Sequence, residues 1–153
     1  MTKLEHIEDR LHHNNVTMYE FAIDETIKAM SVVAKGKKAI ALNRDALSGK
    51  ADETAILAEE LGHFETNAFY KITPDYNTPA ARNNRIKYEA MARNWAYREY
   101  CPPEEIEAAI ASEGVYGVHA VADKCSVTVD FLHKSIAYHR SCGVEFNLDD
   151  SSA

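Results

Sequence analysis

Hydrophobic positions in this chain change their spacing several times, and each change marks an element. Leu4, Ile7 and Leu11 recur at helical spacing, with Thr2 placed to cap a first helix that ends in His12-His13-Asn14-Asn15. From Val16 to Ile23 the residues are β-branched and aromatic, which predicts a strand. Ile27–Ala34 and Lys38–Asn43 flank Lys35-Gly36-Lys37, the pattern of a hairpin with a glycine-containing three-residue connection. A helix is expected from Asp52, as its N-cap, to about Tyr70. Residues 72–77, with Pro74, read as a loop. Thr78-Pro79 opens a second long helix to about Tyr100, with Tyr88, Met91, Ala92 and Trp95 on one face. Pro103 starts another helix to Ser112, and Tyr116–Lys124 and Thr128–Cys142 complete the set. The acidic, Ser-rich end from Glu145 is expected to be mobile.

These elements predict an α+β fold: one mostly helical domain over residues 1–145, with a small antiparallel sheet packed against the Asp52–Tyr70 helix. Within it, residues 16–100 form the expected catalytic core, 103–142 the C-terminal helices, and 146–153 a flexible tail. At 153 residues, 46% hydrophobic and 27% charged, the chain is long enough to bury one core. A net charge of −7 disfavours direct nucleic-acid binding, whose affinity rests on neutralising phosphates. The last two helices do have the outline of a helix-turn-helix, yet the second offers only Lys134, His139 and Arg140 as cationic contacts. Packing on the core is the preferred reading, with a DNA-binding helical module as an alternative. A charged N-terminus, no apolar run long enough for a bilayer, and three widely spaced cysteines predict a cytoplasmic protein with reduced thiols and no membrane partner.

Candidate chemistry concentrates in Ala55–Thr66. Leu57, Leu61, Phe64 and Ala68 form an apolar helical stripe, and Glu59 and His63, four apart, lie one turn above the other on its flank. Glu60 falls between that pair and the stripe, where packing would partly bury it. The spacing approaches the zinc-protease helix His-Glu-x-x-His, with Glu59 replacing the first imidazole; carboxylate oxygen also ligates zinc, although it makes the site harder and more negative. On the next long helix Glu89 borders the apolar face and could complete the coordination. Two bland readings stand beside this one: a solvated acidic helix, and a salt bridge from Glu89 to Arg85 or Arg93.

The blocks Leu57-Ala-Glu-Glu-Leu-Gly-His-Phe-Glu-Thr66 and Lys87–Tyr100, the latter with Glu89, Ala92, Trp95 and Ala96 in a Glu-x-x-Ala-x-x-aromatic-Ala pattern, resemble the ImmA/IrrE family of metallopeptidases, over about residues 16–140. The resemblance implies a gluzincin-like zinc endopeptidase, with Glu60 as general base and Glu59, His63 and Glu89 as ligands of Zn²⁺ or another divalent metal. Most members carry His where this chain has Glu59. It further implies a protein partner, a helix-turn-helix repressor whose cleavage relieves repression of a phage or mobile element. A catalytically inactive relative, binding its partner as an antirepressor without cutting it, is the alternative on the same fold.

Overall fold

The computed structural model describes residues 1–22, 26–69, 77–112 and 114–148. In chain order these form α1 (Lys3–His13), β1 (Val16–Glu20), β2 (Ala29–Ala34), β3 (Lys37–Leu42), a 3₁₀ turn (Arg44–Ala46), α2 (Lys50–Thr66), α3 (Pro79–Tyr100), α4 (Pro103–Ala111), α5 (Gly117–Lys124) and α6 (Val129–Ser141). The α+β class read from the sequence holds. Among the described residues no helix is long and apolar enough to cross a membrane.

Local chemistry sets most boundaries. Thr2 and Glu5 form a reciprocal capping box at the start of α1. Thr78 and Thr128 cap α3 and α6 through their hydroxyls. Pro79 and Pro103 each occupy a first helical turn, where a missing N–H costs nothing. The β2–β3 connection is tighter than expected: Lys37 already pairs with Ala34, which leaves Lys35 and Gly36 as the turn, at φ 51° and 74°. Two consecutive positive φ values match the right-handed twist of a hairpin.

The sheet is mixed, with order β1-β3-β2. β2 and β3 pair antiparallel as expected, but β1 runs parallel to β3, with Val16 opposite Lys38 and Glu20 opposite Leu42. No tight turn joins β1 to its neighbour in the sheet, so nothing local imposes the antiparallel direction. Central β3 contributes the fully buried Ile40 and Leu42. Ile23, at the end of the expected first strand, lies outside the described residues, as does the expected loop over 72–76.

The N-cap of α2 is Gly49, not Asp52. Asp52 sits a turn inside the helix. Its carboxylate reaches back to the Ser48 N–H at 3.1 Å and pairs with Lys28 Nζ at 2.8 Å, which joins the start of α2 to the strand entry. The helix closes at Thr66, earlier than the expected Tyr70, because Asn67 turns left-handed (φ 53°) and caps the His63 and Phe64 carbonyls. Along α2, Ala55, Leu57, Ala58, Leu61, Gly62 and Phe64 are all buried, so this helix is wrapped rather than laid on a surface.

α3 crosses α2 at very short range. A β-carbon added to Gly62 would lie 2.3 Å from the Ala92 carbonyl oxygen. Ala92 is on the face expected from the sequence, but the rest of the buried face of α3 differs from it. Ala92, Ala96, Tyr97 and Tyr100 are buried, whereas Met91 is exposed and Tyr88 and Trp95 are half-buried. At the far end Arg10 of α1 bonds Glu65 and Glu99 and stacks over Trp95, at 4.9 Å from the ring centre. Lys3 Nζ donates to the carbonyls of Tyr100 and Cys125, which ties the ends of α3 and α5 together. The α5–α6 pair packs inward through Val118, Val121, Phe131, Leu132 and Ile136. Phe146 and Leu148 lie half-buried against the core, and residues 149–153 of the expected tail are outside the described residues.

Two outcomes follow from this packing. Gly62→Ala, a change that stabilises an exposed helix by about 1 kcal/mol, should here lower stability by about 2 kcal/mol or more, read from urea unfolding; unchanged or raised stability would mean that the helices do not meet at this point. Burial alone would raise the Asp52 pKa, but the Lys28 and Ser48 donors outweigh it and hold it below the ordinary 3.8. Its stabilising effect is therefore complete above that pH and disappears as acid protonates the carboxylate. Asp52→Asn should cost roughly 1 kcal/mol at pH 7, with the gap to the parent closing below about pH 3.8; a gap independent of pH would rule out this account.

Candidate metal and catalytic site

The α2–α3 crossing brings one face of each helix into register. His63 follows Gly62, and Glu89 lies one turn before Ala92 with its neighbour Arg93, so the close contact places His63 opposite Glu89. The His63 Nε2 to Glu89 Oε2 distance is 3.5 Å. His63 is 8% exposed, beneath the Phe69 ring with centroids 5.9 Å apart. Its other nitrogen, Nδ1, lies 2.7 Å from the Ala68 carbonyl oxygen. A carbonyl accepts only, so Nδ1 carries the hydrogen, and Nε2 is the nitrogen directed at Glu89.

This fixing of Nδ1 by a backbone carbonyl is how metal-binding imidazoles are generally oriented. The carbonyl arrives there because Asn67 ends α2 in the left-handed conformation and turns Ala68 back over the last helical turn, where Ala68 N–H also bonds the His63 carbonyl at 3.1 Å. Burial would depress the His63 pKa; Glu89, the Ala68 carbonyl and Glu60 together outweigh it and raise the value above its ordinary 6.5. When His63 is protonated, the Nε2 proton faces Glu89 at the position that a cation would take.

Glu60 points to the sheet. Ser31, in the middle of β2, bonds the Glu60 carboxylate through its hydroxyl, at Oε2, and through its backbone N–H. Since β2 is an edge strand, that N–H is not committed to a further strand among the described residues. Burial is the largest influence on Glu60 and raises its pKa, with Glu89 adding to the rise; Ser31 and His63 pull the other way without cancelling it. Glu60 therefore combines a fixed orientation with an elevated proton affinity, the two properties asked of a general base.

Glu59 is the outlier. It lies one turn before His63 on α2. Burial pushes its pKa from 4.5 to about 7, against the opposing charges of Arg93 and Lys134 and with the help of Glu60 and Glu89. Tyr97, a further turn along α3, is pushed up to about 12 by burial and by Glu59. Of the four residues singled out in the sequence, the structure brings His63 and Glu89 into contact and sets Glu60 against both electrostatically. Glu59 feels the opposing charges of Arg93 and Lys134 and the like charges of Glu60 and Glu89. Among the described residues no three His, Cys, Asp or Glu side chains gather closely enough to hold a metal ion.

The chain matches no protein-family model, no curated protein and no solved structure. What the site can do is therefore argued from its own chemistry. Imidazole nitrogen and carboxylate oxygen are the donors that zinc and related divalent ions take. The committed Nδ1 and the inward Nε2 of His63 fit such an ion, and Glu89 already faces the same point. Sequence reasoning missed Ser31 and the Ala68 carbonyl. A lone serine in the apolar run Ala29–Ala34 was a signal for the first; the second depends on a left-handed turn.

Ser31→Ala removes the hydroxyl that favours the charged form of Glu60. The Glu60 carboxyl should then titrate at a higher pH than in the parent, measured by carbon NMR on metal-free protein. A value that stays put or falls would show that Ser31 does not hold it.

Proposed function

We propose that this chain is a metal-dependent, site-specific endopeptidase of the ImmA/IrrE type, with His63, Glu89 and Glu59 as metal ligands and Glu60 as general base, acting in the cytoplasm on a helix-turn-helix repressor. The observation that carries the reading is the meeting of His63 Nε2 with Glu89 at 3.5 Å from two different helices, with Nδ1 already anchored on a carbonyl. A solvated acidic helix has no use for that arrangement. The bound metal, Zn²⁺ or a similar ion, would supply Lewis acidity at the scissile carbonyl.

The chain's own groups account for the rest. His63 is pre-oriented by Ala68, so binding costs it little rotamer freedom. Glu60, gripped by Ser31, accepts a proton from the attacking water and returns it to the leaving amine. β2 runs past Glu60 as an edge strand, with Val33 exposed on the face of Ser31 and Met30 and Val32 exposed on the other, a strand edge suited to an extended peptide. The repressor as substrate rests on the family resemblance alone.

A second reading has one observation in its favour. Because Glu59 does not join the other ligands, the same fold could bind a partner as a non-catalytic antirepressor. Two measurements separate the readings. The peptidase binds about one divalent metal per chain from micromolar supply, and Glu60→Gln keeps the metal while cleavage of a co-expressed helix-turn-helix repressor stops. Absence of metal, or an unaltered biological effect in Glu60→Gln, favours the antirepressor.

A further inference from the structure

The sheet has two faces, and only one of them is covered. Side chains alternate along each strand, so Ser31, Ile40 and Leu42 turn toward α2, while Thr17, Tyr19, Met30, Val32, Ala39 and Ala41 turn the other way. The strand register sets these six in two rows, Thr17-Ala39-Val32 and Tyr19-Ala41-Met30. Tyr19 is 59%, Met30 47% and Val32 41% exposed, so nothing among the described residues lies over this face. Single apolar side chains at a surface are ordinary, but a contiguous uncharged field three strands wide marks an interaction surface. Its two ends differ in charge. Lys35 and Lys37, both exposed, stand at the hairpin tip. At the opposite end Arg44 is shared between Glu20 and Glu53, Lys28 is paired with Asp52, and exposed Asp45 leaves the balance negative. We propose that this outer face pairs with the same face of a second copy of the chain, across a twofold axis that lies in the interface at right angles to the strands.

Charge and shape select this arrangement. A twofold in that direction reverses the strands, so the lysine tip of each copy meets the acidic end of the other, and both contacts form at once. A twofold along the strands would instead stack lysines on lysines. In the favoured pairing the two rows exchange: Tyr19 of one copy lies over Thr17 of the other, Met30 over Val32, and Ala39 over Ala41. Each large side chain thus meets a smaller one. The alanines of the central strand let the two sheets approach to the roughly 10 Å of packed sheets. A face of three short strands falls below the roughly 800 Å² per partner of a standard interface, and each copy carries a net charge of −7. The dimer is therefore weak and reversible on dilution, with a dissociation constant of about 10–100 μM. Ser31 and Glu60 lie on the other side of the sheet, so the pairing leaves the candidate site open and is independent of the peptidase reading.

Sedimentation velocity on the full chain, from micromolar to near-millimolar concentration, tests the pairing. The parent should pass from monomer to dimer across that range. Met30→Glu puts a charge into the apolar field and should raise the dissociation constant about tenfold or more. Tyr19→Ser takes its place if circular dichroism shows Met30→Glu unfolded. Ile86→Glu, at a position 66% exposed on α3, should leave the dimer as it was. Lys37→Glu and Asp45→Lys should each weaken it severalfold. Combining the two should bring it back close to the parent, because the tip and the opposite end have then traded signs. A parent that stays monomeric throughout overturns the proposal and leaves the face to a different partner. Assemblies larger than a dimer, a dimer insensitive to Met30→Glu or lost in Ile86→Glu, or a double charge variant no stronger than the single ones, overturn it as well.

Discussion

The contact between Gly62 and the backbone of Ala92 is the constraint from which the rest of this structure follows. At a crossing where one helix has no side chain, the backbones approach until the next atoms on each side touch. Residues flanking the contact are then placed by helical geometry alone. One side of it carries the candidate site, where His63 meets Glu89. Toward the far end of the same two helices, Arg10 fastens Glu65 and Glu99 over Trp95. The site therefore rests on two elements whose spacing is set by atoms that cannot yield, which is what a constellation needs if it must hold its geometry to fractions of an ångström.

Around that fixed frame the polar groups divide the work. Ala68 holds one nitrogen of His63, and Ser31 holds Glu60. Neither anchor comes from α2 itself. One arrives by a left-handed turn after the helix, the other from the edge of the sheet. The sheet thus contributes more than a floor for α2: its edge strand supplies the donor that orients the proposed base. Three acids remain near one another, and burial raises the pKa of two of them, Glu59 and Glu60. Carboxyls with raised pKa values are a common mark of a functional site.

Much of this was legible in the sequence because it depends on neighbours along the chain. Thr2, Thr78 and Thr128 announce their helices through local hydroxyl caps, and Pro79 and Pro103 announce theirs through a fixed φ. Leu57, Leu61 and Phe64 are buried as their spacing requires, whereas Ala68, past the end of α2, is buried through the left-handed turn at Asn67. The errors lie where distant residues decide. Asp52 has the composition of an N-cap, yet Lys28, far off in sequence, engages its carboxylate inside the helix. The parallel direction of β1 has no local signature, since it depends on which neighbour β1 finds. The buried face of α3 was misread in part: Ala92, which meets Gly62, was on the expected face, but Tyr97 and Tyr100 are buried where Met91 is exposed.

The glutamate at position 59 shows why dependence on distant residues matters for chemistry. An imidazole in its place could stay neutral when buried, leaving the site to wait for a cation without strain. A carboxylate cannot: once out of water it must be neutralised by a proton, a metal or a fixed positive charge. Arg93 and Lys134 act electrostatically to lower the pKa of Glu59, but burial outweighs them and raises it to about 7. The charge state of Glu59 thus depends on side chains of α3 and α6 as well as on its own helix.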